Sequence, residues 1–122
     1  MKTFCFTILL IFIVPCRGLS QADSLSIQLI SAVKTCNYTN VLSALKGDVD
    51  VNKPDLLGKT PLHHAVLCGN PDIVSLLLLH EADPFLEDVE GIQPLGYAKL
   101  FNQIAIIDLL LEYVGNREVQ LM

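Results

Sequence analysis

Adjacent His63-His64, the acids Asp83, Glu87, Asp88 and Glu90 in one segment, and the cysteines Cys36 and Cys68 are the groups of this 122-residue chain whose types could do chemistry. Histidines one apart on a helix point about 100° away from each other; a shared metal needs i, i+3 or i, i+4 spacing. His63 therefore reads as a hydrogen-bonding group between packed elements, and His80 as a residue near a helix end, beside its last carbonyls. Two carboxylates in a cleft can do acid–base work, and a calcium site needs oxygens at fixed offsets around a glycine. The acidic segment has neither that spacing nor a histidine partner, so it reads as a solvated acidic loop. No serine or cysteine stands in a nucleophile-elbow context, and Gly47, Gly58, Gly69, Gly91 and Gly96 form no phosphate loop. The sequence carries no enzyme signal, and it implies no metal and no cofactor.

The element that must position these residues is a repeat. Gly58-Lys59-Thr60-Pro61-Leu62-His63-His64-Ala65 returns as Gly91-Ile92-Gln93-Pro94-Leu95-Gly96-Tyr97-Ala98, 33 residues on. Ile73/Ile106, Val74/Ile107, Leu77/Leu110 and Leu78/Leu111 keep the same interval. Stepping back one period, Leu29, Ala32, Val41 and Leu45 stand for Leu62, Ala65, Val74 and Leu78. A fixed period of this size marks a stacked array of small units. Within each unit the pattern predicts helix, turn, helix and linking loop. Thr60 caps a helix opened by Pro61 and running to about Cys68, Gly69-Asn70-Pro71 turns, and Pro71 opens a second, apolar helix ending near His80-Glu81. The next unit has helices from Pro94 to about Phe101 and from Ile104 to Val114, with Gly115-Asn116 as its stop. An atypical first unit, without the Thr-Pro start, pairs helices over Ser24–Thr35 and Thr39–Lys46.

The motif Thr60-Pro61-Leu62-His63 inside a 33-residue period, followed by Gly69-Asn70, Ile73-Val74, Leu76-Leu77-Leu78 and Ala82-Asp83, resembles an ankyrin repeat. The resemblance is fullest over residues 55–87, looser over 88–118 and faintest over 22–54, with 119–122 left as a tail. It implies an all-α solenoid of stacked antiparallel helix pairs with hairpin-like linking loops. It also implies protein binding through those finger loops and the inner helices. The positions that face partners in the family's pattern are here Leu56, Leu57, Lys59 and Leu67 in one unit, and Val89, Glu90, Ile92, Leu100 and Phe101 in the next. Most are apolar where a solvated stack favours polar groups, and contiguous apolar patches mark interaction sites. Glu81 departs from the pattern where glycine is usual, so the left-handed end of that helix is expected to be strained or reshaped. Gly96 replaces the motif histidine.

The N-terminus reads as a secretory signal over residues 1–18. Lys2 precedes an eleven-residue apolar run, Phe4 to Val14, and cleavage is expected after Gly18 or, next, Ser20. The run is short of the roughly 20 residues a membrane span needs, so no stable span is expected. The alternative is a hydrophobic N-terminus that is kept, either packed on the repeats or holding the chain loosely at a membrane. Loss of residues 1–18 removes Lys2 and Arg17 and no acid, taking the net charge from −5 to −7. Nucleic acid is thereby a poor partner. Asn37-Tyr38-Thr39 is an N-glycosylation sequon in an exposed turn, relevant if the chain is secreted; the fold itself is more usual in the cytoplasm. Cys36 and Cys68 fall at neighbouring levels of adjacent units. Packed helices are about 8–10 Å apart and a disulfide needs Cα atoms within about 7 Å, so two free thiols are expected.

Two functions follow as expectations. One is a non-catalytic interaction module binding a protein partner through the concave face and fingers. The other is a truncated or structural fragment that self-associates through its apolar C-terminal end, since roughly three units are needed for a continuous core.

Overall fold

The computed structural model describes residues 21–121, and the signal-like segment 1–18 lies outside them. Six helices follow one another: α1 Gln21–Lys34, α2 Tyr38–Ala44, α3 Pro61–Cys68, α4 Pro71–Leu79, α5 Pro94–Leu100 and α6 Ile104–Leu121. They pair as α1/α2, α3/α4 and α5/α6. The inner helices α1, α3 and α5 stack on one another in that order, and the outer helices α2, α4 and α6 do the same. Among the described residues there are helices and turns and no strand, so the fold is the expected all-α stack.

The repeat works through its ends. Each inner helix stops at a left-handed residue at the same point of the period: Cys36 (φ 56°), Gly69 (φ 79°) and Asn102 (φ 55°). The amide of Gly69 donates to the carbonyls of Ala65 and Val66, satisfying groups the helix end would otherwise leave open. Two residues of the same period then begin outer helices. Asn37 Oδ1 accepts from the amides of Thr39 and Asn40, and Asn70 Oδ1 accepts from that of Asp72. At the start of α3, Thr60 Oγ1 accepts from the His63 amide while His63 Nδ1 accepts from the Thr60 amide, a reciprocal cap. Gln93, one period on, caps α5 without any side-chain bond.

The core lies between the two layers. Leu29, Val33, Leu62, Val66, Ile73, Val74, Leu77, Ile106 and Leu110 are buried. The pattern thins at the far unit: Leu78 is 6% exposed, but Leu111, its counterpart, is 50% exposed because no further described unit packs on it.

Two expectations about helix ends fare differently. Glu81 does take the left-handed conformation, at φ 66°, and the Ala82 amide reaches back to the Leu77 carbonyl. Gly115-Asn116 does not end the last helix; α6 continues to Leu121. Within this extension the Arg117 guanidinium lies over the Tyr113 ring one turn back.

Candidate interaction face

The fingers are tight turns. In the first, the Asp55 amide donates to the Lys59 carbonyl and the Gly58 amide to the Asp55 carbonyl; in the second, Asp88 and Ile92 and then Gly91 and Asp88 repeat both bonds. Gly58 and Gly91 sit at φ 73° and 76°. At Gly58 a Cβ would stand 2.8 Å from the Val89 backbone nitrogen, because the two fingers are joined there by a bond from the Val89 amide to the Leu57 carbonyl. Glycine is thus required for both conformation and close approach.

Each finger is braced at its base by an aspartate. Asp55 Oδ1 accepts from the amides of Leu57 and Lys59, and Asp88 Oδ1 from those of Glu90 and Ile92. The second oxygen accepts from the inner helix, from His64 Nε2 at 2.7 Å in the first case and from the Tyr97 hydroxyl in the second. His64 and Tyr97 are themselves one period apart. Asp88 is therefore a buried strut and not part of a solvated acidic loop. The hydrogen bond from Tyr97 outweighs burial and, with the amides of Ile92 and Glu90 and the Lys59 charge, lowers its carboxyl to about 2. Burial would raise Asp55, but bonds from His64, Lys59 and Leu57 hold it below the usual carboxylate range. For His64 burial outweighs the pull of Asp55 and lowers its pKa. At neutral pH the contact is thus a neutral imidazole donating to a carboxylate.

His63 ties two units together, as the sequence suggests. Its Nδ1 accepts from the Thr60 amide at 3.0 Å, so Nε2 carries the proton and donates to the Ile92 carbonyl at 2.8 Å. The side chain is fully buried, and burial lowers its pKa. No group of three or more potential metal ligands occurs among the described residues.

Of the nine residues singled out from the sequence, seven are exposed: Leu56, Leu57, Leu67, Val89, Glu90, Leu100 and Phe101. Leu56 is fully exposed and Leu100 is 71% exposed. The Val89–Leu57 bond sets the two finger tips side by side. Leu67 and Leu100 hold equivalent positions at the ends of α3 and α5. Lys59 and Ile92 turn inward. The Lys59 ammonium lies 3.6 Å from Asp88 and 5.7 Å from the Tyr97 ring centre, and Ile92 packs on the core. They are the last residues of their turns, where the chain swings back towards the inner helix.

The face extends onto the first unit, where no residue was singled out from the sequence. A groove of about 730 Å³, mostly apolar, runs along α1 beneath the first finger. Its lining includes Ile27, Ile30, Lys34, Pro54 and Leu56. Lys34 precedes Leu67 by one period, so the interval carried back from Leu67 points there; the irregularity of the first unit hid it.

The two cysteines are bonded. Cys36 and Cys68 form a disulfide with Cα atoms 5.8 Å apart, contrary to the expectation of free thiols. The spacing of helix axes does not bound this distance. Cys68 ends α3, whereas Cys36 is the left-handed residue beyond α1, where the chain leaves the helix cylinder.

Residues 29–121 match the family described as ankyrin repeats in three copies. The chain belongs to the ankyrin-repeat family. It is 44% identical over 81 residues to the regulatory protein NPR6 of Arabidopsis thaliana, which covers 65% of this chain and 17% of that protein. It is 43% identical over 81 residues to the regulatory protein NPR5 of Arabidopsis thaliana, across 65% of this chain and 16% of the relative. It is 42% identical over 81 residues to the BTB/POZ domain and ankyrin repeat-containing protein NPR5 of Oryza sativa, with the same coverage. The chain spans about a sixth of the length of these curated relatives. Ankyrin repeats are generally protein-interaction modules. No described helix is long and apolar enough to cross a membrane.

Proposed function

We propose that this ankyrin stack is a non-catalytic module that binds a protein partner through its concave face and fingers. The observation that carries the reading is the exposure of Leu56, Leu57, Val89, Leu100 and Phe101. The fingers that present the first three are braced by the partly buried Asp55–His64 pair and the buried Asp88–Tyr97 pair, and burying such a patch would drive association. Exposed Glu87 and Glu90 beside it favour a partner with a basic rim. The test is capture of partners by the wild-type chain and by Leu57→Asp and Val89→Asp, with helix content followed by circular dichroism. Loss of capture with unchanged helicity supports this face; retained capture by both variants overturns it.

The secretory pathway is the proposed setting. A disulfide persists in oxidising compartments, and the sequon residue Asn37 is exposed. Asn37 caps α2 through Oδ1, so a glycan on Nδ2 leaves the cap intact. The signal-like N-terminus agrees with this setting, whereas the usual cytoplasmic place of the fold is the alternative. Sequencing the expressed N-terminus together with the mass of the Asn37 peptide separates them.

A second reading is self-association through the last unit, where Ile104 and Leu111 of α6 are exposed. Sedimentation of the full chain tests it: a monomer across the accessible concentration range removes this reading.

A further inference from the structure

The three units are not joined alike. Between the second and third, His63 Nε2 reaches the Ile92 carbonyl, Gln103 Nε2 reaches the Val66 carbonyl at 2.9 Å, and the Val89 amide joins the two fingers. Buried side chains and backbone make that joint. The first unit meets the second differently. It shares the apolar core through Leu29 and Val33, but its polar links lie at the rim, where Asn52 Nδ2 donates to the Glu81 carbonyl at 3.3 Å and Asn52 Oδ1 accepts from the Asp83 amide at 2.7 Å. Along α1 the open groove separates Ile27 and Ile30 from Pro54 and Leu56. At the end of this joint, where α1 and α3 both stop, stands the Cys36–Cys68 bond.

We propose that the Cys36–Cys68 bridge is a thiol-reducible latch that holds the first repeat, and the groove it lines, against the rest of the stack. Cys36 is exposed and Cys68 partly so, which puts the bond within reach of a small thiol or a dithiol protein. A reductant thiolate attacks one sulfur and forms a mixed disulfide, and the other cysteine leaves as a thiolate that takes up a proton. A second reductant thiol then attacks the mixed disulfide and releases the remaining cysteine. Two electrons and two protons pass to the protein, and the reductant leaves as its own disulfide. The bond links residues 32 apart, so its loss frees the α1/α2 pair to sample open states that the cross-link forbids. The second and third units keep their buried joint. Reduction therefore loosens one end of the face and leaves the fingers carrying Leu57 and Val89 in place. The latch matters biologically only if the proposed face binds a partner, but the latch itself is observable without one.

The experiment is hydrogen exchange on the full chain in three forms: oxidised, treated with dithiothreitol, and the double variant Cys36→Ser/Cys68→Ser. Backbone amides of residues 24–45 are expected to exchange roughly tenfold faster or more after reduction, with residues 62–79 and 95–110 unchanged. The double variant should match the reduced form and ignore dithiothreitol. Unchanged protection of residues 24–45 on reduction overturns the latch. So does uniform loss of protection along the chain, which would make the bond a staple of the whole stack. Failure of Leu57→Asp to abolish partner capture, with these exchange differences intact, removes the binding reading and leaves the latch standing.

Discussion

His63 of the second repeat donates its Nε2 proton to the carbonyl of Ile92, 29 residues ahead in the next repeat, at 2.8 Å. The Thr60 amide occupies its other ring nitrogen, so no site for a second proton remains unless a bond is broken. Burial sets the same direction, lowering the pKa from its ordinary 6.5. A histidine lowered in the folded state binds fewer protons there than when unfolded. Its contribution is complete above the unfolded value of 6.5 and is lost as pH falls from there through the folded value. His64 is lowered too and adds in the same sense. The melting midpoint should therefore fall as pH drops from 7.5 to 5.5, and nitrogen-15 spectra should show His63 as the neutral Nε2–H tautomer below pH 6.5. A cationic His63 in the folded chain at pH 6.5 contradicts the geometry.

Gly58→Ala should destabilise the stack by about 2 kcal/mol. The left-handed backbone costs an L-residue about 1–2 kcal/mol, and the new Cβ meets the backbone of the next finger. Gly91→Ala shares the conformation but has open space around the Cβ, so it should cost less. Urea denaturation of the two variants compares them directly, and equal losses would show that the finger–finger contact does not matter.

Glu81→Gly should act oppositely and stabilise by about 0.5–1 kcal/mol, since φ 66° strains a glutamate and not a glycine. The side chain is exposed and its removal uncovers no core. Thermal melting is sufficient to read the sign.

At the start of α5, Gln93→Thr should restore the cap that Thr60 supplies to α3. A gain of about 1 kcal/mol is expected, read as a higher urea midpoint with the slope unchanged.

Tyr97→Phe removes the donor that does most to hold the Asp88 carboxyl at about 2. The pKa of Asp88, followed by carbon-13 shifts, should rise towards the ordinary 3.8. In the wild type the stability owed to this carboxylate is present above 3.8 and lost as pH falls through about 2, so the variant should begin to lose it at higher pH.

Helix pairs, their order and most of their ends were legible in the sequence because they rest on local rules repeated every 33 residues. Pro61 and Pro94 open helices, Gly69 closes one, and apolar residues at helical spacing mark the buried sides. The same interval picked out exposed apolar positions, Leu56, Leu57, Val89 and Leu100. The inward turn of Lys59 was not legible, because it depends on Asp88 and Tyr97 of the next unit, nor was that of Ile92, which packs on the core.

The 33-residue interval was enough for the family and the all-helical stack, and local capping signals were enough for most helix ends, since caps are hydrogen bonds between residues a few positions apart. Tertiary structure decided what depends on distance between units. It buried Asp88 beneath a tyrosine hydroxyl, opened a groove along α1, and brought Cys36 and Cys68 within bonding range. A period fixes which residues are equivalent. It does not fix how far a left-handed turn carries a side chain from its helix axis, and that displacement made the two cysteines a bond.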